Sequence, residues 1–483
     1  MLGRQAMYVD GAWRRPHSLA TLPVVCPSSE AVVGTAPDAD AADIDIAVAA
    51  ARRAFDSGPW PRMSLDERIA TLERALDLLV PKLAEIARLV TTEMGVPIAA
   101  GRQLIPIGLE TGRYFLRVAR EVGGTDLRRG SQLAAVFREP LGVVASIAAW
   151  NGPFNIAVSK VIPALVAGCA VVFKPAPETP LDAEYLADAF AAAGVPPGVF
   201  NVVFGGRDAG RTLVAHAGID KVSFTGSTAA GRDIGEVCGR GLKRVQLELG
   251  GKSAAIVAPD ADIERVKAGI TLGSFFNCGQ MCIAFTRVLA PRSRYDEVVS
   301  TIGEIARSFR IADPFEEATT MGPVVSARQL SRIEGYIAGA QAEGARLVAG
   351  GRRPPGLARG WFIEPTVFAD VRNSMTLARE EVFGPVIGII PYDGIDEAVA
   401  IANDSPYGLH GGIFTRDERL ALKVARSIRT GTFSVNAFVY NVEAPFGGVK
   451  CSGIGRDTGR EAVESYYELK TVNLTPSMES LVS

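Results

Sequence analysis

From about residue 140 the chain settles into a repeating order: a short apolar run, a stretch of helical length, then another apolar run. "GVVASIAAW" (142–150) reads as a buried strand and "NIAVSKVIPALVAG" (155–168) as the helix after it. "AVVF" (170–173), "FNVVFG" (200–205), "KVSFTG" (221–226) and "RVQLELGG" (244–251) read as further strands, with "LDAEYLADAFAAAG" (181–194) and "TAAGRDIGEVCG" as helices among them. Parallel strands need a long crossover to return to the same end, and a helix is the usual crossover. The order therefore predicts an α/β fold built on a doubly wound, Rossmann-like sheet. Ligands of such sheets bind beyond the carboxyl ends of the strands. Residues just past each strand are where chemistry is expected.

A second alternating series follows residue 252, with strands such as "AAIV" (254–257) and "LVAGG" (347–351) and helices over 327–344 and 418–431. It predicts a second α/β domain over 251–450. Before residue 140 the reading is mainly helical. Ser64 is a helix-cap candidate and Gly95 a closing residue for 64–95, while "YVDGAW" reads as a strand and turn. Residues 120–140 read as a hairpin with a Gly-Gly turn that interrupts the first domain. Three units are expected: 1–119 with 141–250, then 251–450, and a small element from 120–140 with 465–483.

A chain of 483 residues is too long for one core. Its net charge of −2 is spread without a basic block, so a nucleic-acid partner is not expected. The N-terminus lacks a secretory h-region and no apolar run approaches a membrane span, which predicts a cytoplasmic protein without a membrane partner. In that reducing compartment the six cysteines (Cys26, Cys169, Cys238, Cys278, Cys282, Cys451) are free thiols. Two of them stand close together in "NCGQMCIA" (277–284). A metal site would need more ligands, yet His17, His216 and His410 all lie far from this stretch in sequence and no second cysteine pair exists, so no metal is expected. Nucleophilic attack by one thiol is the remaining chemistry.

Candidates for the rest of such a site follow the other strands. In "FTGSTAAGR", Gly226 and Ser227 open a helix whose free amides suit a pyrophosphate, or are simply turn residues. Arg232 and Asp233 stand where a P-loop needs Lys and Ser/Thr, which disfavours a nucleotide triphosphatase. Lys174 ends its strand where it meets ribose hydroxyls or only solvent. Glu248, beside Gly250 and Gly251, is a general base or a carboxylate escaping to water. Asn151 is an oxyanion donor or a helix cap.

Taken together, "AAWNGPF", "VVFKPAPETPL", "VSFTGSTAAGR", "LELGGKSAAIV", "NCGQMCIA", "REEVFGPVIGI", "NDSPYGL" and "PFGGVKCSGIGRDTG" resemble the aldehyde dehydrogenase superfamily, in its order and spacing, over nearly the whole chain. The resemblance implies Cys282 as nucleophile, Glu248 as general base, and Asn151 with the Cys282 amide as oxyanion donors. Cys278 matches a variable position. By the same likeness Trp150, Lys174, Gly226, Ser227, Gly250, Glu381 and Phe383 meet an NAD cofactor. Pro177 stands where many NAD-specific relatives carry a ribose-binding Glu, so NADP use is expected alongside preferred NAD. Ala149 replaces a common proline without consequence for any catalytic role.

Substrate-pocket walls implied by alignment are Gly152, Asn155, Ile156, Ser159, Phe276, Met281, Ile283, Phe438, Tyr440 and Phe446, which suggest an apolar or aromatic aldehyde; core packing is the other reading of each apolar side chain. Glu248 favours hydrolytic release of a free acid over acyl transfer to coenzyme A, because only the hydrolytic route activates water. The fold implied is a nucleotide-binding domain, a catalytic domain and a small β oligomerisation element, assembled as a homodimer or homotetramer. The segment "ELKTVNLTPS" reads as a strand added to a neighbouring subunit. Two rival readings are a cysteine esterase or acyltransferase, which would need His216 or His410 beside the thiol, and a non-catalytic protein of the same fold.

Overall fold

A computed structural model describes residues 2–482. Five strands, Val143–Ile147, Ala170–Lys174, Phe200–Val202, Lys221–Thr225 and Arg244–Glu248, run parallel through the centre of an eight-stranded sheet. Val143–Ile147 and Ala170–Lys174 are buried at every position, as continuous apolar runs covered on both faces must be. The chain winds outward from Val143–Ile147 to Phe200–Val202, then returns to lay Lys221–Thr225 on the other side of Val143–Ile147. Such a reversal opens a crevice at the carboxyl ends of the two neighbouring strands. Residues 148–152 and 225–227 line it.

Met7–Val9 and Ala12–Arg14 form the hairpin at one edge of this sheet. At the other edge Gly453–Ile454 runs antiparallel to Arg244–Glu248. Ala462, Val463 and Tyr466 are buried in the same apolar core as the first 250 residues. The stretch between 450 and 465, to which the sequence assigns no unit, thus returns to the first sheet.

The second sheet has seven strands in the order Arg346–Ala349, Thr366–Ala369, Val386–Tyr392, Phe285–Pro291, Ser253–Val257, Gly411–Phe414, Ser434–Val435. It is parallel except for its first pair, and it encloses a separate core. Only the loop 249–252 separates the last central strand of the first sheet from Ser253–Val257 of the second.

Three sequence expectations shift. The helical stretch 64–95 is two helices, Leu65–Leu79 and Leu83–Met94, divided by a 3-10 turn at Val80–Lys82. Pro81 lacks the N–H that a continuous helix needs there. Ser64 does cap the first helix, exchanging hydrogen bonds with Glu67, and Gly95 closes the second at a φ of 84°. The hairpin over Thr125–Arg129 and Leu133–Pro140 turns at residues 130–132, not at Gly123-Gly124. Gly123 instead ends the helix Ile98–Val122, its N–H donating to the Ala119 carbonyl. Finally, Tyr467–Leu474 pairs with Leu133–Pro140 of its own chain, Tyr467 opposite Pro140 through Leu474 opposite Leu133. The matched length of the two strands satisfies its backbone locally, so a partner subunit is not needed for it to form. Among the described residues no helix is long and apolar enough to cross a membrane.

Candidate active site

A cavity of about 1270 Å³ occupies the crevice between the two sheets. One arm lies under the helix Arg207–Ala215, Lys174 and the start of the helix Thr228–Arg240; the other lies among Met94, Ile105, Phe276, Phe438 and Phe446. Cys282, Glu248 and Asn151 all line it. So do Trp150, Lys174, Gly226, Ser227, Gly250, Glu381 and Phe383, and, on the apolar side, Gly152, Asn155, Ile156, Ser159, Met281, Ile283 and Tyr440. The structure therefore brings every residue singled out from the sequence to one surface.

Cys282 sits in the short loop ahead of Phe285–Pro291. The approach to it is tightly wound: Asn277, Cys278 and Gly279 have φ of 50°, 55° and 68°. A cysteine in that left-handed region costs on the order of 1 kcal/mol, so the surroundings must hold it there. They do so with amides. Asn277 Nδ2 donates to the Asn151 carbonyl at 3.0 Å, and Gln280 Nε2 to the Asn277 carbonyl at 3.1 Å. Gln280 Oε1 accepts from the Val325 N–H at 3.0 Å. A side chain at position 279 would strike the Gly384 carbonyl, its Cβ only 2.3 Å away. Asn151 Nδ2 donates to the Gln280 carbonyl at 3.1 Å, which uses one of its two hydrogens and leaves the other. The Cys282 N–H has no acceptor among the described residues, so it is also free to donate. Burial pushes the Cys282 thiol well above the ordinary cysteine value, and the carboxylates of Glu248 and Glu381 push it further.

Glu248 ends its strand 2% exposed, and neither carboxylate oxygen has a hydrogen-bond partner among the described residues. Burial, reinforced by Asp457, lifts its pKa well above the usual carboxylate range. Asp457 belongs to a buried network on the same side: Lys160 Nζ lies 2.9 Å from Asp457 Oδ2 and 3.3 Å from Ser223 Oγ, while Gln246 Nε2 donates to Asp457 Oδ1. Removing one partner of a buried pair strands the other charge. Lys160→Met is accordingly expected to lower stability by about 3 kcal/mol, read as a drop in the urea midpoint. An unchanged midpoint would mean the pair contributes no net stability.

In the other arm, no side chain can stand at Gly226, because its Cβ would lie 2.4 Å from the Phe224 ring. The amides that open Thr228–Arg240 are thus uncovered, apart from the Ala230 N–H, which donates to Ser227 Oγ at 3.3 Å. Lys174 is 4% exposed and donates only to the Pro175 carbonyl, at 3.1 Å; burial brings its pKa down to about 8. Glu381 Oε1 accepts from the Gly251 N–H at 2.9 Å, and burial pushes that carboxyl up to about 7. Phe383 meets Trp150 edge to face at 5.2 Å.

Neither histidine required by the esterase reading lines the cavity. His216 faces Asp45 at 3.1 Å. His410 is buried against Phe285 and bonded to Thr432, and burial brings its pKa down to about 3. Cys278 is buried in the second core, and all six cysteines are free.

Residues 13–472 match the model of the aldehyde dehydrogenase family. The chain belongs to the aldehyde dehydrogenase family. It is 44% identical to geranial dehydrogenase of Castellaniella defragrans over 98% of this chain and 99% of that one. Among solved structures it resembles an aldehyde dehydrogenase of Mycobacterium tuberculosis complexed with NAD+, with a TM-score of 0.96, 45% identity and 98% of both chains covered. It also resembles a mutant of Aldehyde Dehydrogenase C from Pseudomonas syringae complexed with NAD+ and octanal, with a TM-score of 0.93, 40% identity, and 98% and 97% coverage.

In this member of the family several cavity residues carry no sequence signal of their own. Val90 and Met94 lie one turn apart on Leu83–Met94, and Leu104, Ile105 and Ile107 lie on Ile98–Val122. At helical spacing they are indistinguishable from core positions. Lys160 and Asp457 are nearly 300 positions apart, and only the folded chain pairs them.

Proposed function

We infer that the chain oxidises an uncharged, apolar or aromatic aldehyde to its carboxylic acid with NAD, through covalent attack by Cys282. One observation carries this reading: the thiol lies where a nucleotide-sized arm meets an apolar arm, beside a buried carboxylate and two free amide donors. The uncovered amides after Gly226, together with Lys174 and Glu381, fit a dinucleotide in the first arm. When bound, NAD supplies the acceptor for the aldehyde hydride and a positive charge near the thiol. The chain's own residues do the rest. Cys282 Sγ adds to the carbonyl carbon, and the Asn151 Nδ2 and Cys282 N–H groups meet the charge that develops on oxygen. Departure of hydride leaves a thioester on Cys282. Glu248, kept basic by burial, takes a proton from the water that cleaves it.

Apart from Glu248 and Asp457, the apolar arm offers no charged side chain to a substrate: Met94, Ile105, Ile156, Phe276, Met281 and Phe438 dominate it. That supports an uncharged substrate, and the names of two relatives, for geranial and octanal, point the same way. A panel of aliphatic, aromatic and terpenoid aldehydes with NAD and NADP, following reduced nicotinamide, tests activity and substrate class together. Turnover confined to charged aldehydes would overturn the apolar reading. Assembly as a homodimer or homotetramer is part of the same proposal, supported by the exposed Leu469 and by the outer edges of the three-stranded sheet.

A raised thiol pKa holds the proton until high pH, and only the thiolate is nucleophilic. Alkylation of Cys282 by iodoacetamide in the cofactor-free chain is expected to be slow at neutral pH and still rising above the free-thiol value of about 8.5. Saturating NAD is expected to move that profile downward. A profile centred near the free-thiol value in both conditions would contradict the burial and the charge effect together.

A further inference from the structure

Helix Arg207–Ala215 turns Arg207, Gly210, Arg211, Val214 and Ala215 toward the cavity, the spacing of one helical face. Gly210 sits against Lys174, with its Cβ position 3.7 Å from Lys174 Cε, so the two arginines flank the lysine at the end of the nucleotide arm. Both are exposed, and neither has a carboxylate partner within ion-pair distance among the described residues. Elsewhere along the arm the charges are balanced: Arg240 pairs with Glu236 on the facing helix. Asp38 accepts the Gly206 N–H at 2.9 Å, and Glu178 lies close enough to Lys174 to favour its charged form. Asp233 also faces the arm, but from the helix Thr228–Arg240. Pro177 lines the cavity at this end and carries no charge.

NAD gives two unpaired guanidinium groups here little to bind. Its pyrophosphate already has the uncovered amides after Gly226, on a different helix. A second phosphate, on the adenosine ribose, is the group that two arginines one turn apart and a lysine are built to hold. We propose that Arg207, Arg211 and Lys174 form an acceptor for the 2′-phosphate of NADP, which makes this chain a dual-cofactor enzyme. The proposal rests on the dinucleotide reading above and goes beyond it by assigning the residues.

The test is calorimetric binding of NAD, NADP, 5′-AMP and adenosine 2′,5′-bisphosphate to the full chain and to Arg207→Ala/Arg211→Ala, at low and high salt. Both side chains are exposed, so the variant is expected to fold. Losing charge-assisted bonds to a phosphate should weaken NADP at least about tenfold more than NAD. The bisphosphate should follow NADP, and 5′-AMP should follow NAD. Salt should weaken NADP more steeply than NAD in the parent chain and less so in the variant. Equal losses for NAD and NADP would place the arginines on the pyrophosphate and overturn the proposal. So would a parent chain that binds NAD but not NADP. A parent chain that binds no nucleotide would bring down the dehydrogenase reading as well, which separates the two failures.

Discussion

Cys282→Ala is expected to lower aldehyde oxidation by about 10⁴-fold or more, because no other group on the cavity wall can form the covalent adduct. Cys278 is no substitute. It is 3% exposed in the second core, and burial pushes its pKa up to about 12. Cys282→Ser should fare little better, since a hydroxyl lacking an adjacent base is a far weaker nucleophile than a thiolate. Binding of NAD should survive in both variants, because Lys174, Gly226 and the amides after it are untouched. Turnover and calorimetric affinity, measured side by side, separate loss of chemistry from loss of fold. Near-normal oxidation by the alanine variant would end the covalent mechanism.

Glu248→Gln is expected to reduce steady-state turnover by about 10²–10⁴-fold, the range for removing a positioned general base. Hydride leaves before water is needed, so a first burst of reduced nicotinamide, about one per active site, should persist while later cycles stall. The pH dependence follows from the raised carboxyl pKa. A base must be unprotonated to act, and a raised pKa means that the proton is lost only as pH climbs above the ordinary carboxylate range. Turnover of the parent chain should therefore rise with pH through that pKa, and the glutamine variant should lack this limb. Loss of the burst along with turnover would instead assign Glu248 to the acylation half of the reaction.

Much of this site is legible in the sequence because each functional residue directly follows a strand. Val143–Ile147, Ala170–Lys174, Lys221–Thr225 and Arg244–Glu248 are read off their apolar runs, and Asn151, Lys174, Gly226 and Glu248 stand at or just past their ends. Local patterning also marks Ser64 and Gly95 as helix ends. What sequence conceals is long-range. Nothing around Lys160 marks it as buried beside Asp457; it sits in a helix of otherwise apolar residues and reads as an interruption. The left-handed Asn277 and Cys278 carry no turn signal stronger than the glycine after them, because amides from other segments hold that conformation. The glycines at 123 and 124 mislead for a related reason: a helix end and a hairpin turn both favour glycine, and only the pairing of Thr125–Arg129 with Leu133–Pro140 shows which is present. Arg207 and Arg211 look like ordinary surface charges until Lys174 is seen beneath them.

Tyr466 and the segment before it have a consequence for biosynthesis. The half of the molecule that begins at the N-terminus is completed by residues 453–466, which supply an edge strand, buried apolar side chains and the counter-ion of Lys160. A ribosome adding roughly 5–20 residues per second needs on the order of 10–40 s to travel from the end of the first domain's central strands to that segment. Throughout that interval the nascent chain exposes an unpaired strand edge and an uncompensated lysine, so vectorial folding stalls one step short of closure until translation is nearly done.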